Sequence, residues 1–511
     1  MPYGYRFYRK RWSVFTAVFL LVACSLVSAQ DSAKPAQAPR EQGQQKSAEP
    51  KRKSAGEGAR PNEGERHATP DTKISPQEAE ELFHSVDEIL HFASIDTSLP
   101  VRTEVKRSLT SRDEVVAYIE KHMAEDEDAK RLERSLLVLR KFGLIPRDFD
   151  LKHFLVALLR EQVAGYYDPK TKTVNLLDWL GVDEQRPVLA HELTHALQDQ
   201  NFGLEKWMRD GQVDLASRKH LTADDIATDE YSTVRQAVVE GQAMVVLVDY
   251  MLAPTGQSLQ DSPQIVEALK QGMLVGTADS VNFRNAPVVL RESLIFPYRY
   301  GIDFVADVLK SGGKEKAFAA VFKNPPRTTR EIMEPQTYLS GERIEPMPVP
   351  DLAHIFRNYE RFDVGAMGEF DVAILIDQYA GADTSHKLYP HWRGGYYYAV
   401  RPKNEADAPL GLFYASRWSS AEKAGEFAAI YARSLSQRYK RAREAPPSDR
   451  SPVLDLEKVE RLSGVHTWLT EDGPVVIEVQ RDTVLVTESI DPAATEALQH
   501  DLFAQPVAAG K

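Results

Sequence analysis

Residues 184–200 read EQRPVLAHELTHALQDQ, a stretch in which apolar residues recur at helical spacing around the short motif HELTH. This pattern predicts one amphipathic helix, because residues three or four positions apart share a helix face. His191 and His195 are four positions apart, so both imidazoles can bind a single ion. The apolar stripe expected for this helix consists of Val188, Leu189, Leu193, Ala196 and Leu197.

The acidic residue of the motif has its own place on the predicted helix. Glu192 lies on the flank next to the histidines, where its carboxylate can reach a water bound to the ion. Zinc suits two imidazoles because it binds nitrogen at about 2.0–2.1 Å and tolerates an open fourth position. Without a shared ion, each histidine on a half-buried face needs a hydrogen-bond partner of its own. We therefore expect a Zn2+ site with His191 and His195 as ligands and Glu192 beside it.

A third ligand is expected downstream, since a catalytic zinc usually has three protein ligands. The segment AVVEGQAMVV at 237–246 places Glu240 among apolar and small residues. A buried carboxylate is costly unless positive charge compensates it. A bound dication provides that charge; a buried arginine or a capping residue is the alternative. We predict Glu240 as a ligand on a helix from about Thr233 to Leu252, with Gly241 permitting close approach of a second helix.

The bulk composition restricts the class of protein. The chain has 511 residues, 42% of them hydrophobic and 27% charged, as in globular proteins. A formal charge of −12 and the lack of an extended basic face argue against nucleic acid as a partner. Cys24 is the only cysteine, so a disulfide within the chain and a thiolate metal site are excluded.

The N-terminus predicts export. The basic stretch MPYGYRFYRKRW is followed by the apolar run SVFTAVFLLVACSLVSA, which is typical of a signal peptide at 1–29. Cleavage before Gln30 is one outcome. The stretch LVAC resembles a bacterial lipobox, which predicts a lipid on Cys24 and membrane attachment. A retained membrane anchor is the weaker interpretation, because the apolar run is short for a membrane span.

Residues 30–72 are polar and proline-rich, and we expect a disordered linker. The protein should then act in the periplasm or cell envelope, or be secreted.

Two folded regions are expected after the linker. Residues 73–345 carry mostly helical patterns, beginning with Ser75 as a helix cap, and a predicted strand pair in YYDPKTKTVNLL. Residues 350–511 contain alternating strand patterns, one amphipathic helix and a predicted three-stranded meander. The expected class is α+β: a mainly helical domain with a small sheet, followed by a smaller antiparallel α+β domain.

The motif resembles a known family. His191, Glu192, His195 and the downstream glutamate of EGQA are similar to the gluzincin branch of zinc metallopeptidases. The stretch 150–340 also resembles a group of exported bacterial proteins; the shared segments include LAHELTHALQDQNF, VVEGQAMV and PPRTTREIMEPQTYL. The resemblance implies a zincin-like fold over 73–345. It also implies hydrolysis of a peptide or protein substrate by zinc-activated water, with Glu192 as the catalytic general base.

Some roles stay open at this stage. The best-known gluzincins have an aspartate four residues after their glutamate, where this chain has Met244, and Asp199 is a candidate to support a ligand instead. The strand KTVNLL is expected to be a sheet edge that pairs with an extended substrate. Candidate donors to the oxyanion are Tyr298, Tyr300 and His220.

Two other classes of protein compete with the peptidase. The first is a binding protein or scaffold of the cell envelope that keeps the metal without peptidase activity. The second is a structural envelope protein whose histidines bind nothing. Intact Glu192 favours the enzyme, because a scaffold has no need of the base.

Overall fold

The computed structural model describes residues 73–125, 135–162, 165–262, 264–445 and 459–504. The predicted signal peptide (1–29), the predicted linker (30–72) and Cys24 lie outside the described residues. Within those residues the chain is α+β, as the sequence predicted. The division into domains at 73–345 and 350–511 stays a prediction.

Helices dominate the first part of the described chain. They are α1 (Pro76–Thr97), α2 (Arg112–Glu125), α3 (Leu151–Gln162), α4 (Val182–Phe202), α5 (Leu204–Trp207), α6 (Ala223–Ala227), α7 (Tyr231–Leu252), α8 (Gln264–Asp279), α9 (Val281–Arg284), α10 (Val288–Lys314), α11 (Val321–Lys323), α12 (Thr329–Met333) and α13 (Pro335–Ser340). Further helical turns lie at 135–141, Thr228–Glu230, Ala253–Thr255 and Glu315–Ala320.

Helix α1 begins where the sequence predicted. Ser75 Oγ accepts a hydrogen bond from the backbone N–H of Glu78, and the Glu78 carboxylate accepts one from the N–H of Ser75. Pro76 occupies the first helical position, where its missing N–H costs nothing. Helix α1 packs against both α4 and α7, and so covers the two helices that carry the candidate ligands.

A small three-stranded sheet lies beside α4. Its strands are β1 (Lys106–Thr110), β2 (Tyr166–Asp168) and β3 (Thr173–Leu177), in the order β1-β3-β2. Strands β2 and β3 pair antiparallel, as the sequence predicted, whereas β1 and β3 pair parallel. The expectation that KTVNLL forms a sheet edge is wrong, because β3 is hydrogen-bonded on both sides. The edge next to α4 is β2.

Helices α7 and α10 cross at two glycines. A β-carbon on Gly241 would lie 2.2 Å from the carbonyl oxygen of Gly301, and one on Gly301 would lie 2.3 Å from that of Ala237. Only glycine permits backbones to approach so closely. The predicted close approach at Gly241 is therefore present, but the partner is α10 and not α4.

Among the described residues, the helical segment Ala223–Thr255 is long and apolar enough to span a membrane. In this structure 72% of its most apolar window is buried within the protein.

The last part of the chain is built on a seven-stranded antiparallel sheet. The elements are α14 (Leu352–Ile355), β4 (Tyr359–Ala366), α15 (Glu369–Ala380), α16 (Ala382–Leu388), β5 (Trp392–Pro402), β6 (Gly411–Trp418), α17 (Ala421–Arg438), β7 (Ala442–Glu444), β8 (Gly464–Thr470), β9 (Gly473–Gln480), β10 (Thr483–Glu488) and α18 (Pro492–Phe503), with a 3₁₀ turn at Tyr389–His391. The strand order in the sheet is β4-β5-β6-β10-β9-β8-β7. The predicted meander is present as the three strands β8, β9 and β10.

Aromatic side chains fill the space between this sheet and α17. Trp418 stacks on Phe427 at 4.7 Å between ring centroids, and Tyr414 stacks on Tyr431 at 6.1 Å. Trp392 is buried as well. These rings form the core of the sheet.

Buried polar contacts join the sheet region to the start of α7. Glu230 accepts hydrogen bonds from the backbone N–H and the hydroxyl of Thr329, at 2.8 and 2.6 Å. A β-carbon on Gly368 would lie 2.2 Å from the same carboxylate. Nearby, Arg330 pairs with Glu369, and both side chains are buried. The N-terminal end of α7, the helix that carries Glu240, thus contacts residues before and after position 345, the predicted domain boundary.

Candidate metal centre

Helix α4 positions both histidines deep inside the protein. It begins after Gly181 and ends at Gly203, whose φ of 65° closes the last turn in the left-handed conformation that glycine favours. Every residue from 187 to 199 is buried. The sequence predicted a half-buried face, but α1, α7 and the small sheet all pack on α4 and leave no exposed side at this level.

Helix α7 brings the carboxylate to the same point. Glu240 lies in its middle and is 1% exposed, with buried apolar residues on either side. Among the described residues, no arginine or lysine pairs with Glu240. Its partners are His191 and His195, so the arginine alternative for this carboxylate does not hold.

Three potential ligand atoms converge between the two helices. His191 Nε2 lies 3.2 Å from Glu240 Oε2 and 3.0 Å from His195 Nε2. His195 Nε2 lies 3.4 Å from the same Glu240 oxygen. Atoms bound at about 2.0–2.1 Å to one tetrahedral ion are about 3.3 Å apart. The separations therefore suit three ligands of a single metal ion, and this buried group could hold one.

The charges of the group support the same conclusion. Burial lowers the pKa of His191 to about 4. Burial also opposes the charged form of His195, but the negative charge of Glu240 outweighs it and raises the pKa of His195 to about 9. For Glu240, burial is likewise outweighed, here by the charge of His195, and its pKa falls to about 2. Glu240 is thus held ionised and His191 neutral, as metal ligands must be, whereas the raised pKa of His195 shows that this position favours a positive charge.

The tautomer of His195 is fixed by a chain of amides. Gln198 Nε2 donates to Val239 O at 3.0 Å and to Gln242 Oε1 at 2.8 Å, and Gln242 in turn donates to Ala317 O at 2.7 Å. Gln198 Oε1 is therefore left to accept from Nδ1 of His195, 2.9 Å away. A neutral His195 then has its lone pair on Nε2, the atom that faces the other two ligands.

Asp199 does not support either histidine, contrary to the role considered for it. Its carboxylate accepts from the hydroxyl of Tyr167 at 3.0 Å and pairs with Lys172. It also accepts from the backbone N–H of Leu204. Although Asp199 lies one turn after His195, its carboxylate is engaged by Tyr167, Lys172 and the backbone of Leu204.

Glu192 lies beside the ligands and is held by the small sheet. Its Oε2 accepts a hydrogen bond of 2.7 Å from the backbone N–H of Tyr167 in β2, and its Oε1 is buried without a hydrogen-bond partner. Burial raises the pKa of Glu192 to about 7. A carboxylate with a pKa near neutrality and one unengaged oxygen is suited to accept and return a proton.

Of the three candidate oxyanion donors, one lies at the site. The ring of Tyr298 stacks on that of His191 at 6.3 Å between centroids and is buried. Tyr300 is half-buried and its ring lies near Phe296, while His220 is exposed. Neither Tyr300 nor His220 makes a hydrogen bond or ring contact with a ligand or with Glu192.

Sequence reasoning missed Gln198, Gln242 and the backbone of Tyr167. Gln198 had a detectable signal, because it lies three residues after His195 and so shares its helix face. The other two had none, since their positions depend on how α7 and β2 pack on α4. The likeness to gluzincins consists of four side chains and their spacing. No family model, no curated protein and no solved structure matches the chain.

Proposed function

We propose that this protein is a zinc-dependent peptidase of the gluzincin type, with a zincin-like catalytic region at 73–345. The observation that carries the proposal is the convergence of His191 Nε2, His195 Nε2 and Glu240 Oε2 within 3.0–3.4 Å of one another. Two imidazoles and one carboxylate are a ligand set that catalytic zinc accepts. When bound, zinc lowers the pKa of water and polarises the carbonyl of a peptide.

Glu192 is the proposed general base. Its unengaged Oε1 would take a proton from the attacking water and return it to the leaving amine. The hydrogen bond that the backbone N–H of Tyr167 donates to Glu192 Oε2 holds the other oxygen and so orients the carboxylate. Tyr298 is the candidate donor to the oxyanion, because it alone of the three candidates lies against a ligand.

The proposed substrate is a peptide or an unfolded protein, and the proposed place of action is outside the cytoplasm. Both follow from the sequence: the first from the likeness to gluzincins, the second from the signal-like residues 1–29. A lipid on Cys24 would add attachment to a membrane.

Burial supports a second candidate function. The ligands and Glu192 are at most 1% exposed, and a polypeptide must reach them to be cleaved. Peptidase activity therefore requires a movement of the packed elements that admits a polypeptide to the ligands. A metal-binding scaffold of the cell envelope needs no such movement, and the closed centre favours it for that reason.

Zinc content and one conservative variant separate these candidates. Protein purified without chelators should contain about one zinc per chain and should cleave a peptide library or an unfolded protein. Glu192→Gln should retain the zinc and lose about 10²–10⁴-fold of the cleavage rate. Glu184→Gln, at an exposed position in the first turn of the same helix, is the matched control and should cleave like wild type.

The other outcomes are equally informative. Wild-type protein with bound zinc and no cleavage of any library peptide supports the scaffold and excludes the peptidase. Wild-type protein that takes up no zinc, even when zinc is added, excludes both candidates.

A further inference from the structure

A cationic cavity lies apart from the candidate metal centre, and none of the three candidate ligands lines it. It is open to solvent, has a volume of about 300 Å³, and lies where the helical turn at 135–141 meets the seven-stranded sheet. Five basic side chains line it against a single acidic one, Asp472. The basic residues are Arg140, Lys141, Arg147, Arg401 and Arg438. This local excess of positive charge contrasts with the formal charge of −12 for the whole chain.

The nearby carboxylates are shared among several of these cations. Asp472 lies 3.5 Å from Arg147 and 3.6 Å from Lys141. Glu488, beneath the cavity, pairs with Arg438 at 2.8 Å and lies 4.0 Å from Lys141. The two acids therefore leave the cavity positively charged among the described residues.

Arg401 and Arg140 have little compensation. The side chain of Arg401 makes no hydrogen bond or ion pair with a described residue, and its guanidinium lies 5.3 Å over the ring of Phe362. Arg140 has one hydrogen bond, from Nη2 to the carbonyl of Phe149 at 3.0 Å. The Nε atoms of both arginines are buried without a partner. Neither guanidinium pairs with a carboxylate among the described residues, and an anion in the cavity would supply the missing negative charge.

We propose that this cavity is a binding site for a phosphate-type oxyanion, with Arg140 and Arg401 as its principal ligands. Guanidinium groups bind phosphate oxygens through paired, charge-assisted hydrogen bonds. The volume is at the lower limit of small-molecule sites, which suits phosphate, diphosphate or a phosphate headgroup. The bound anion would join the 135–141 turn to the sheet, because the two arginines belong to these two parts of the fold.

Calorimetric titration with inorganic phosphate and pyrophosphate tests the site. Wild-type protein should bind at least one of them saturably at one site per chain, and acetate should not compete. Arg401→Gln and Arg140→Gln should each weaken binding at least tenfold. Arg357→Gln, at an exposed position in the same sheet region, is the matched control and should bind like wild type. Circular dichroism verifies that each variant is folded.

Vesicles distinguish a headgroup from a free anion. Phosphatidylcholine vesicles with and without phosphatidate are sedimented with the protein. Retention that requires phosphatidate, is displaced by pyrophosphate and is lost in Arg401→Gln assigns the site to a lipid headgroup. Saturable binding of the free anions alone assigns it to a soluble phosphate. The proposal is overturned if no phosphate compound binds wild type saturably up to millimolar concentration, or if both folded arginine variants bind like wild type.

Discussion

Oε1 of Gln198 lies 2.9 Å from Nδ1 of His195, three residues earlier on the same helix. Because both amide hydrogens of Gln198 are donated elsewhere, this contact fixes the proton on Nδ1 and leaves Nε2 of His195 as the ligand atom. Hydrogen bonds of this kind orient a metal-binding imidazole and increase its basicity.

Replacing Gln198 by alanine should therefore weaken metal binding without removing a ligand. We expect about 10–100-fold lower zinc affinity, the usual effect of losing such a partner. Competition with a chromophoric chelator measures it. Gln271→Ala, at an exposed position on α8, should leave the affinity unchanged. Equal affinities for wild type and Gln198→Ala would show that the amide does not orient the imidazole.

Glu240→Gln should remove the metal site while retaining the shape of the side chain. The amide carries no charge to compensate a dication, so we expect zinc stoichiometry to fall below about one tenth of that of wild type. A ligand that binds only the native state raises the unfolding temperature. Chelation should accordingly lower the Tm of wild type and leave that of Glu240→Gln unaltered. If chelation lowers both equally, Glu240 is not a ligand.

The candidate site was largely predictable because its signals are local. His191 and His195 share a face through the helical repeat alone, and Glu240 stood out as a carboxylate in an apolar run. The contact of Glu192 with Tyr167 N–H was not predictable, because it depends on where an edge strand lies relative to α4. A sequence pattern predicts on which face of its own helix or strand a residue lies. It does not predict which other element packs against that face.

The prediction that KTVNLL forms a sheet edge was wrong for a related physical reason. Strand β1 has the sequence KRSLT, in which four of the five residues are polar, so its sequence gives little strand signal. Its parallel pairing with β3 joins Lys106 to Thr173, a separation that local periodicity does not record. Without β1, KTVNLL looked like an edge. The same limit applies to Gly241, where the close approach was predictable but the partner, Gly301, was not.

The glycine crossing should be intolerant of even one methyl group. A β-carbon at Gly241 would lie 2.2 Å from the Gly301 carbonyl oxygen, and backbone atoms cannot yield as a flexible side chain does. We expect Gly241→Ala to lower the free energy of unfolding by about 1–3 kcal/mol or more, as overpacking does. Thermal and denaturant unfolding measure it. Gly181→Ala, where the nearest atom is 3.9 Å away, should have a much smaller effect; similar losses would argue against a tight crossing.

The buried carboxyl of Glu230 should make stability depend on pH. Burial raises its pKa to about 8, against the hydrogen bonds from Thr329, which lower it. The native state then retains a proton that the unfolded chain releases above about pH 4.3. The contribution of this group to stability is complete below that pH and is lost as the pH rises towards 8.

Glutamine mimics the protonated carboxyl and does not titrate. Glu230→Gln should thus match wild type in Tm at pH 5 and exceed it at pH 8, whereas Glu360→Gln, at an exposed position, should follow wild type throughout. A constant difference between wild type and Glu230→Gln over this range would mean that Glu230 is already ionised in the native protein, held by Thr329 alone.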